Sequence, residues 1–170
     1  MDPNTWVRAF QNDFPKCDIL LNNVCEVFNK YILEARELPI LSLIMTIKKQ
    51  LMTRFYNKRE EAETWDGTVC PKIKKRLEKN DELSATCHAS NAGDGIFQVD
   101  NKGRSYIMDI KALSCTCKRW DLNGIPCHHF MVCCKDEIIE PEDLVDKCYS
   151  IASFLKAYQP IIMPDRDDRE

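Results

Sequence analysis

Within residues 115–129, CTCKRWDLNGIPCHH, the chain gathers three cysteines and two of its three histidines. Thiolate and imidazole are the groups that zinc takes as tetrahedral ligands, and two of them separated by one or two residues reach one ion from a tight turn. Cys115 and Cys117 form one such pair and Cys127 and His129 a second, in the spacing C-x-C-x9-C-x-H. Asn123, Gly124 and Pro126 lie between the pairs and are residue types that reverse a chain, which lets the second pair fold back onto the first. Spacing leaves His128, one position nearer to Cys127, as a rival ligand. The competing chemistry is a strained disulfide between Cys115 and Cys117, or buried thiols beside a surface histidine.

The rest of the chain bears on that choice. The opening MDPNTWVRAF has neither the basic n-region nor the apolar core of a signal peptide, so the chain reads as not secreted. Cys17, Cys25, Cys70, Cys87 and Cys148 are scattered singly, as free buried thiols commonly are. A reducing setting, with the nucleus as the expected location, favours metal binding over disulfide formation. The most apolar run, LPILSLIMTI from Leu38 to Ile47, is about half the roughly 20 residues a membrane-spanning helix needs and runs directly into Lys48 and Lys49. It reads as the buried face of a helix, and no membrane partner is expected.

The elements that must position the cluster follow from hydrophobic period. Val24, Val27, Phe28, Tyr31, Ile32 and Ala35 make one apolar helical stripe that ends at Pro39. Ile40, Leu43, Ile44, Ile47, Leu51 and Phe55 make the next, and Pro71 suits the first turn of a third, basic helix carrying Lys72, Lys74, Lys75 and Arg76. After Asn80 the period becomes two: Phe97 and Val99, then Tyr106, Met108 and Ile110, flank Asn101, Lys102 and Gly103 as a β-hairpin. His128 to Lys135 read as helical again, Pro141 opens a short helix, and Ile151, Phe154, Leu155 and Tyr158 mark a last one before Pro160. Cys133 and Cys134 fall in the helix after the cluster and are expected in its core. The expected fold class is α+β: a helical half over residues 1–80, a small zinc-stabilised hairpin and helix module over 81–135, and a short helical acidic tail over 136–170. Charge follows the same division, with ten Lys/Arg against five Asp/Glu over residues 39–79 and five against ten over 135–170. A basic middle is either solvated helix surface or a surface facing phosphates.

The stretch CTCKRWDLNGIPCHHF resembles a SWIM-type zinc finger of the form found in plant Mutator-like transposases. WVRAF, KCDILLNNVCEVFNKYILEARELPIL, LMTRF, TWDGTVCPKI and KCYSIASFLKAY resemble, in family order, the C-terminal part of such transposases. The resemblance implies one Zn²⁺ held by Cys115, Cys117, Cys127 and His129, with His128 the variable position, in a module that binds DNA or protein.

It also bears on catalysis. Such transposases resemble enzymes with an RNase H-like core, where two Asp and one Glu hold two divalent ions that flank the scissile phosphate. Asn23, Glu26 and Asn29 match the N-x-x-E-x-x-N setting of the family's Glu. Periodicity alone makes Glu26 a solvated helix residue. Its two aspartate partners would lie upstream in a full-length relative, and Asp2, Asp13 and Asp18 sit too close to Glu26 to replace them. The expectation is a non-enzymatic, transposase-derived zinc protein that binds DNA, with Mg²⁺ needed only in a full-length relative. The alternatives are a protein-interaction or dimerisation module, using the face from Ile40 to Phe55, and a fragment of an active transposase.

Overall fold

The computed structural model describes Lys16 and residues 23–164. WVRAF, Asp2, Asp13, Asp18 and the side chain of Asn23 lie outside the described residues. The chain forms two compact units, one holding Gly67–Ser150, the other holding residues 23–66 together with 151–164.

The helical unit comprises α1 (Asn23–Tyr31), a 3-10 turn (Ala35–Glu37), α2 (Ile40–Glu63) and α6 (Ile151–Tyr158). Pro39 in extended conformation stops the first helical segment and starts the second. Aromatic rings hold α6 to α2: Phe55 meets Tyr158 edge-on at 5.2 Å, and Trp65, just beyond α2, meets Phe154 at 4.8 Å. Arg59 donates to the carbonyls of Tyr158 (2.8 Å) and Pro160 (3.3 Å), a cation at the end of α6 where unpaired carbonyls and the helix dipole favour one. The expected burial of the run Leu38–Ile47 does not hold: Ile40, Leu41, Ile44 and Met45 are 67%, 73%, 55% and 56% exposed. Length explains the difference. Eight residues of α6 extend about 12 Å whereas the 24 of α2 extend about 36 Å, so α6 reaches Phe55 and leaves the first turns of α2 uncovered.

The second unit is built on a four-stranded antiparallel meander of β1 (Cys87–Gly93), β2 (Ile96–Asn101), β3 (Arg104–Asp109) and β4 (Ser114–Cys115). The hairpin read from the sequence is β2–β3, with Phe97 opposite Met108 and Val99 opposite Tyr106. Its turn is the two-residue Lys102–Gly103, both with positive φ (49° and 77°), the backbone that matches the twist of a two-residue hairpin. Alternation puts Phe97, Val99 and Met108 at 0% exposure on one face and leaves Gln98 and Ile107 outside. Strands β1 and β4 were not read from the sequence, and Ile110 falls just past the end of β3.

Helices close the inner face of the sheet. Helix α3 (Pro71–Ser84) is basic outside and buries Ile73 and Leu77, one turn apart; α5 (His128–Glu137) buries Phe130, Met131, Cys133 and Cys134 in the same cluster. The boundary read near residue 80 falls inside α3. Short α4 (Arg119–Asn123) adds Trp120, its ring tilted against that of Phe130 with centroids 4.6 Å apart. Two 3-10 turns, Pro141–Leu144 and Lys147–Tyr149, finish the unit, and its two ends meet: Val69 pairs with Ser150, and the Cys70 amide donates to the Tyr149 carbonyl at 3.0 Å.

Replacing Phe97 with Ala leaves a cavity in the centre of this core and should lower the unfolding free energy by about 3–5 kcal/mol. Ile107→Ala, on the opposite face of the same sheet, should change it by about 0.5 kcal/mol or less. Urea denaturation of the two variants checks the assignment of faces.

Candidate metal centre

The cluster is assembled by one strand end, one reversal and one helix start. Strand β4 places Cys115 opposite Met108 in the sheet, which buries its side chain. The chain then turns sharply: the Lys118 amide donates to the Cys115 carbonyl at 2.8 Å, and Lys118 takes a positive φ of 60° at the start of α4. Cys117, in the middle of that turn, points its amide at the Cys115 sulfur at 3.5 Å.

Helix α4 lasts little more than a turn and ends at Gly124, whose φ of 67° is a left-handed helix cap. A side chain there has no room, because a Cβ on Gly124 would lie 2.6 Å from the Asp146 Cβ. The buried Asn123 accepts from the Ile125 amide at 2.9 Å, and Asn80 of α3 donates to the Pro126 carbonyl at 2.7 Å. These contacts pair polar groups of the buried reversal, as a dry site requires. Cys127 then stands at the N-cap of α5, and its carbonyl accepts from the amides of Phe130 and Met131. His129 lies one step into the helix, 2% exposed, its ring stacked on Tyr106 at 3.9 Å.

Cys115, Cys117, Cys127 and His129 converge so that one ligand atom from each lies within 4.8 Å of all the others. The His129 Nδ1 is 3.5 Å from the Cys115 Sγ and 4.0 Å from the Cys127 Sγ. Zinc bonds of about 2.3 Å to sulfur and 2.0–2.1 Å to nitrogen at a tetrahedral angle put S and N about 3.5 Å apart, so the donor set fits the ion in kind and spacing. The thiols share protons unequally. Cys117, accepting hydrogen bonds from Cys115 and Cys127, is held well below the thiol range. Its partner Cys115 is pushed up to about 12 by that same contact, and Cys127 is also raised, through its hydrogen bonds to both sulfurs and its burial. Three thiols this close cannot all ionise without a cation among them.

The rival ligand His128 is outside this group. Its ring lies 4.0 Å from that of His129, and burial, then the neighbouring His129, lowers its pKa. It belongs instead to a second group, Cys87, His128 and His129, whose ligand atoms also lie within 4.8 Å of one another. Nothing in the sequence pointed to Cys87, a lone cysteine in a strand without alternation. Cys133 and Cys134 are core residues as expected, their thiols directed at the carbonyls of His129 and Met131. Glu26 is exposed on α1 and belongs to neither metal-capable group among the described residues.

Residues 97–131 match the SWIM zinc finger family. The matched segment runs from the first core residue of β2 to the first turn of α5, so it takes in the hairpin, β4, the reversal and all four converging residues. No curated protein and no solved structure matches the chain.

Two outcomes are expected of the finger. Cys127→Ser and His129→Ala should each abolish zinc retention and destabilise this unit, since metal binding and folding are coupled in so small a site, whereas His128→Ala should retain most of the metal; elemental analysis of the purified variants decides. Acid should strip the ion. Zinc needs thiolates, and Cys115 and Cys127 have raised pKa values, so their protons return first as pH falls. Lowering the pH from about 8 to about 5 should release zinc to a chromophoric chelator.

Proposed function

We propose that Cys115, Cys117, Cys127 and His129 hold one Zn²⁺, and that the chain is a transposase-derived binding module that contacts DNA and has no catalytic activity of its own. The observation that carries the metal reading is the convergence of four zinc-type donors within 4.8 Å, inside the segment that matches the SWIM zinc finger. Descent from a Mutator-like transposase is supported by the five separated stretches that resemble the family in order. The eight cysteines whose side chains are described are free thiols, in keeping with a reducing, nuclear setting. No helix among the described residues is long and apolar enough to cross a membrane.

The DNA reading draws support from where the positive charge sits. Lys72, Lys74, Lys75 and Arg76 are exposed on α3, in the same unit as the finger, while Ile73 and Leu77 between them are buried. Lys74 lies 3.9 Å from Glu142, which tempers its charge without neutralising the face. The non-catalytic reading rests on charge: a single carboxylate such as Glu26 brings too little to organise two hydrated Mg²⁺ ions.

A specific observation favours protein as a second kind of partner. Ile40, Leu41, Ile44 and Met45 leave an apolar ridge exposed on α2, a surface that a second copy or another protein would cover.

Salt separates the two readings. Binding of the zinc-loaded chain to duplex DNA should weaken steeply as salt rises, because phosphate contacts release condensed counterions. Changing Lys72, Lys74, Lys75 and Arg76 to Gln should weaken binding to all sequences alike and flatten that slope. Absence of DNA binding, with salt-insensitive self-association by light scattering, would replace the DNA reading with the protein one.

A further inference from the structure

Beside the metal cluster lies a cavity of about 520 Å³, lined by eight residues of which none is acidic. We propose that this cavity is a phosphate site, and that it seats a phosphodiester of the DNA backbone directly against the finger. The proposal rests on the DNA reading above and names a contact for it that lies away from the lysines of α3.

Three cations ring the cavity from two elements. Lys102 and Arg104 come from the β2–β3 turn and the first residue of β3, and Arg119 comes from the first turn of α4. All three are exposed, and none forms an ion pair among the described residues, unlike Lys58, Lys74, Lys111 and Lys135. The nearest carboxylate along the strand, Asp100, belongs to the opposite face by alternation, where it accepts hydrogen bonds from Ser105 and Gln98. No carboxylate lines the cavity itself. Three thiolates around a divalent ion would leave one negative charge behind it, and the three cations outweigh that.

The inner wall is polar and buried. His129 is 2% exposed, yet its Nε2 has no hydrogen-bond partner among the described residues, and the same holds for the Nδ1 of His128; both residues line the cavity. Zinc on the His129 Nδ1, the nitrogen 3.5 Å from the Cys115 Sγ, would leave the ring proton on Nε2. A buried N–H with no acceptor carries a desolvation cost of about 1–3 kcal/mol, and an anionic oxygen in the cavity would relieve it. Asn101 and Tyr106 add neutral polar groups to the same wall. Exposed cations and an imidazole nitrogen without a partner along one cavity are what a phosphate group uses: charge for attraction, a donor for placement.

The test uses the full, zinc-loaded chain and a variant carrying Lys102→Gln, Arg104→Gln and Arg119→Gln, with zinc content measured to show that the finger is intact. Duplex affinity should drop tenfold or more at low salt, and the slope of log affinity against log salt should flatten by about 2–3, since each lost phosphate contact removes about 0.9. A triple variant that binds like its parent overturns the proposal and leaves the DNA reading standing on α3. Titration with inorganic phosphate, followed by amide NMR shifts of Tyr106 and Arg119, separates the sources. Shifts in the parent that vanish in the variant, without any duplex binding, would keep the phosphate site while removing DNA as its ligand. No shift and no duplex binding would remove both.

Discussion

Three sulfurs and one imidazole nitrogen meeting at a point is the constraint on which the rest of the finger unit depends. Thiols at this spacing repel one another as anions, and the unequal sharing of protons among Cys115, Cys117 and Cys127 is the expression of that repulsion. A divalent ion placed among them would convert the repulsion into four bonds. The elements that deliver the sulfurs are correspondingly small: two residues of β4, five of α4 and the first turn of α5. None of these would persist alone, since a helix of one turn cannot recover the cost of its own nucleation. They are held by the sheet on one side, through the pairing of Cys115 with Met108, and by the buried polar contacts of Asn123 and Asn80 on the other.

His129 links the centre to its surroundings through the stacked face of its ring and through Nδ1, which faces the thiols. It stacks on Tyr106, a β3 residue, so the strand that forms the core hairpin also fixes the orientation of the ligand. Outer contacts of this kind set the tautomer and the direction of a metal-binding imidazole. The Cys/His cluster and the cationic cavity share His129, which belongs to the four converging residues and lines the cavity with Lys102, Arg104 and Arg119.

Much of this was legible in the sequence because it rests on local chemistry. The ligand spacing, the Asn123–Pro126 reversal, and the alternation of Phe97, Val99, Tyr106 and Met108 each announce their element within a few residues. Strand β1 announced nothing by periodicity: CHASNAG offers no apolar alternation, and it becomes a strand by pairing with β2. The Asp94–Gly95 dipeptide that joins the two, with φ of 53° and 80°, was the available signal for that turn. Strand β4 is two residues long and exists only as an edge pairing. On α2 the apolar pattern was read correctly as helical, but a stripe states which residues are able to be buried and not whether another element is long enough to cover them. Ile40 and Phe55 share one stripe, and only Phe55 meets α6.

The pairing of Val69 with Ser150 has a consequence for how such a module can travel. Residues 67–150 leave and re-enter the chain at two hydrogen-bonded neighbours, so the finger unit closes on itself before the flanking helices begin. A segment of that kind asks only for two adjacent attachment points in whatever carries it, and the entropy of closing it is met within its own hydrogen bonds and core. Adjacent ends are the arrangement by which a folded segment sits within a longer chain, and Lys16 joins this one from outside the span, accepting from the Tyr149 hydroxyl and donating to the Asp121 carbonyl.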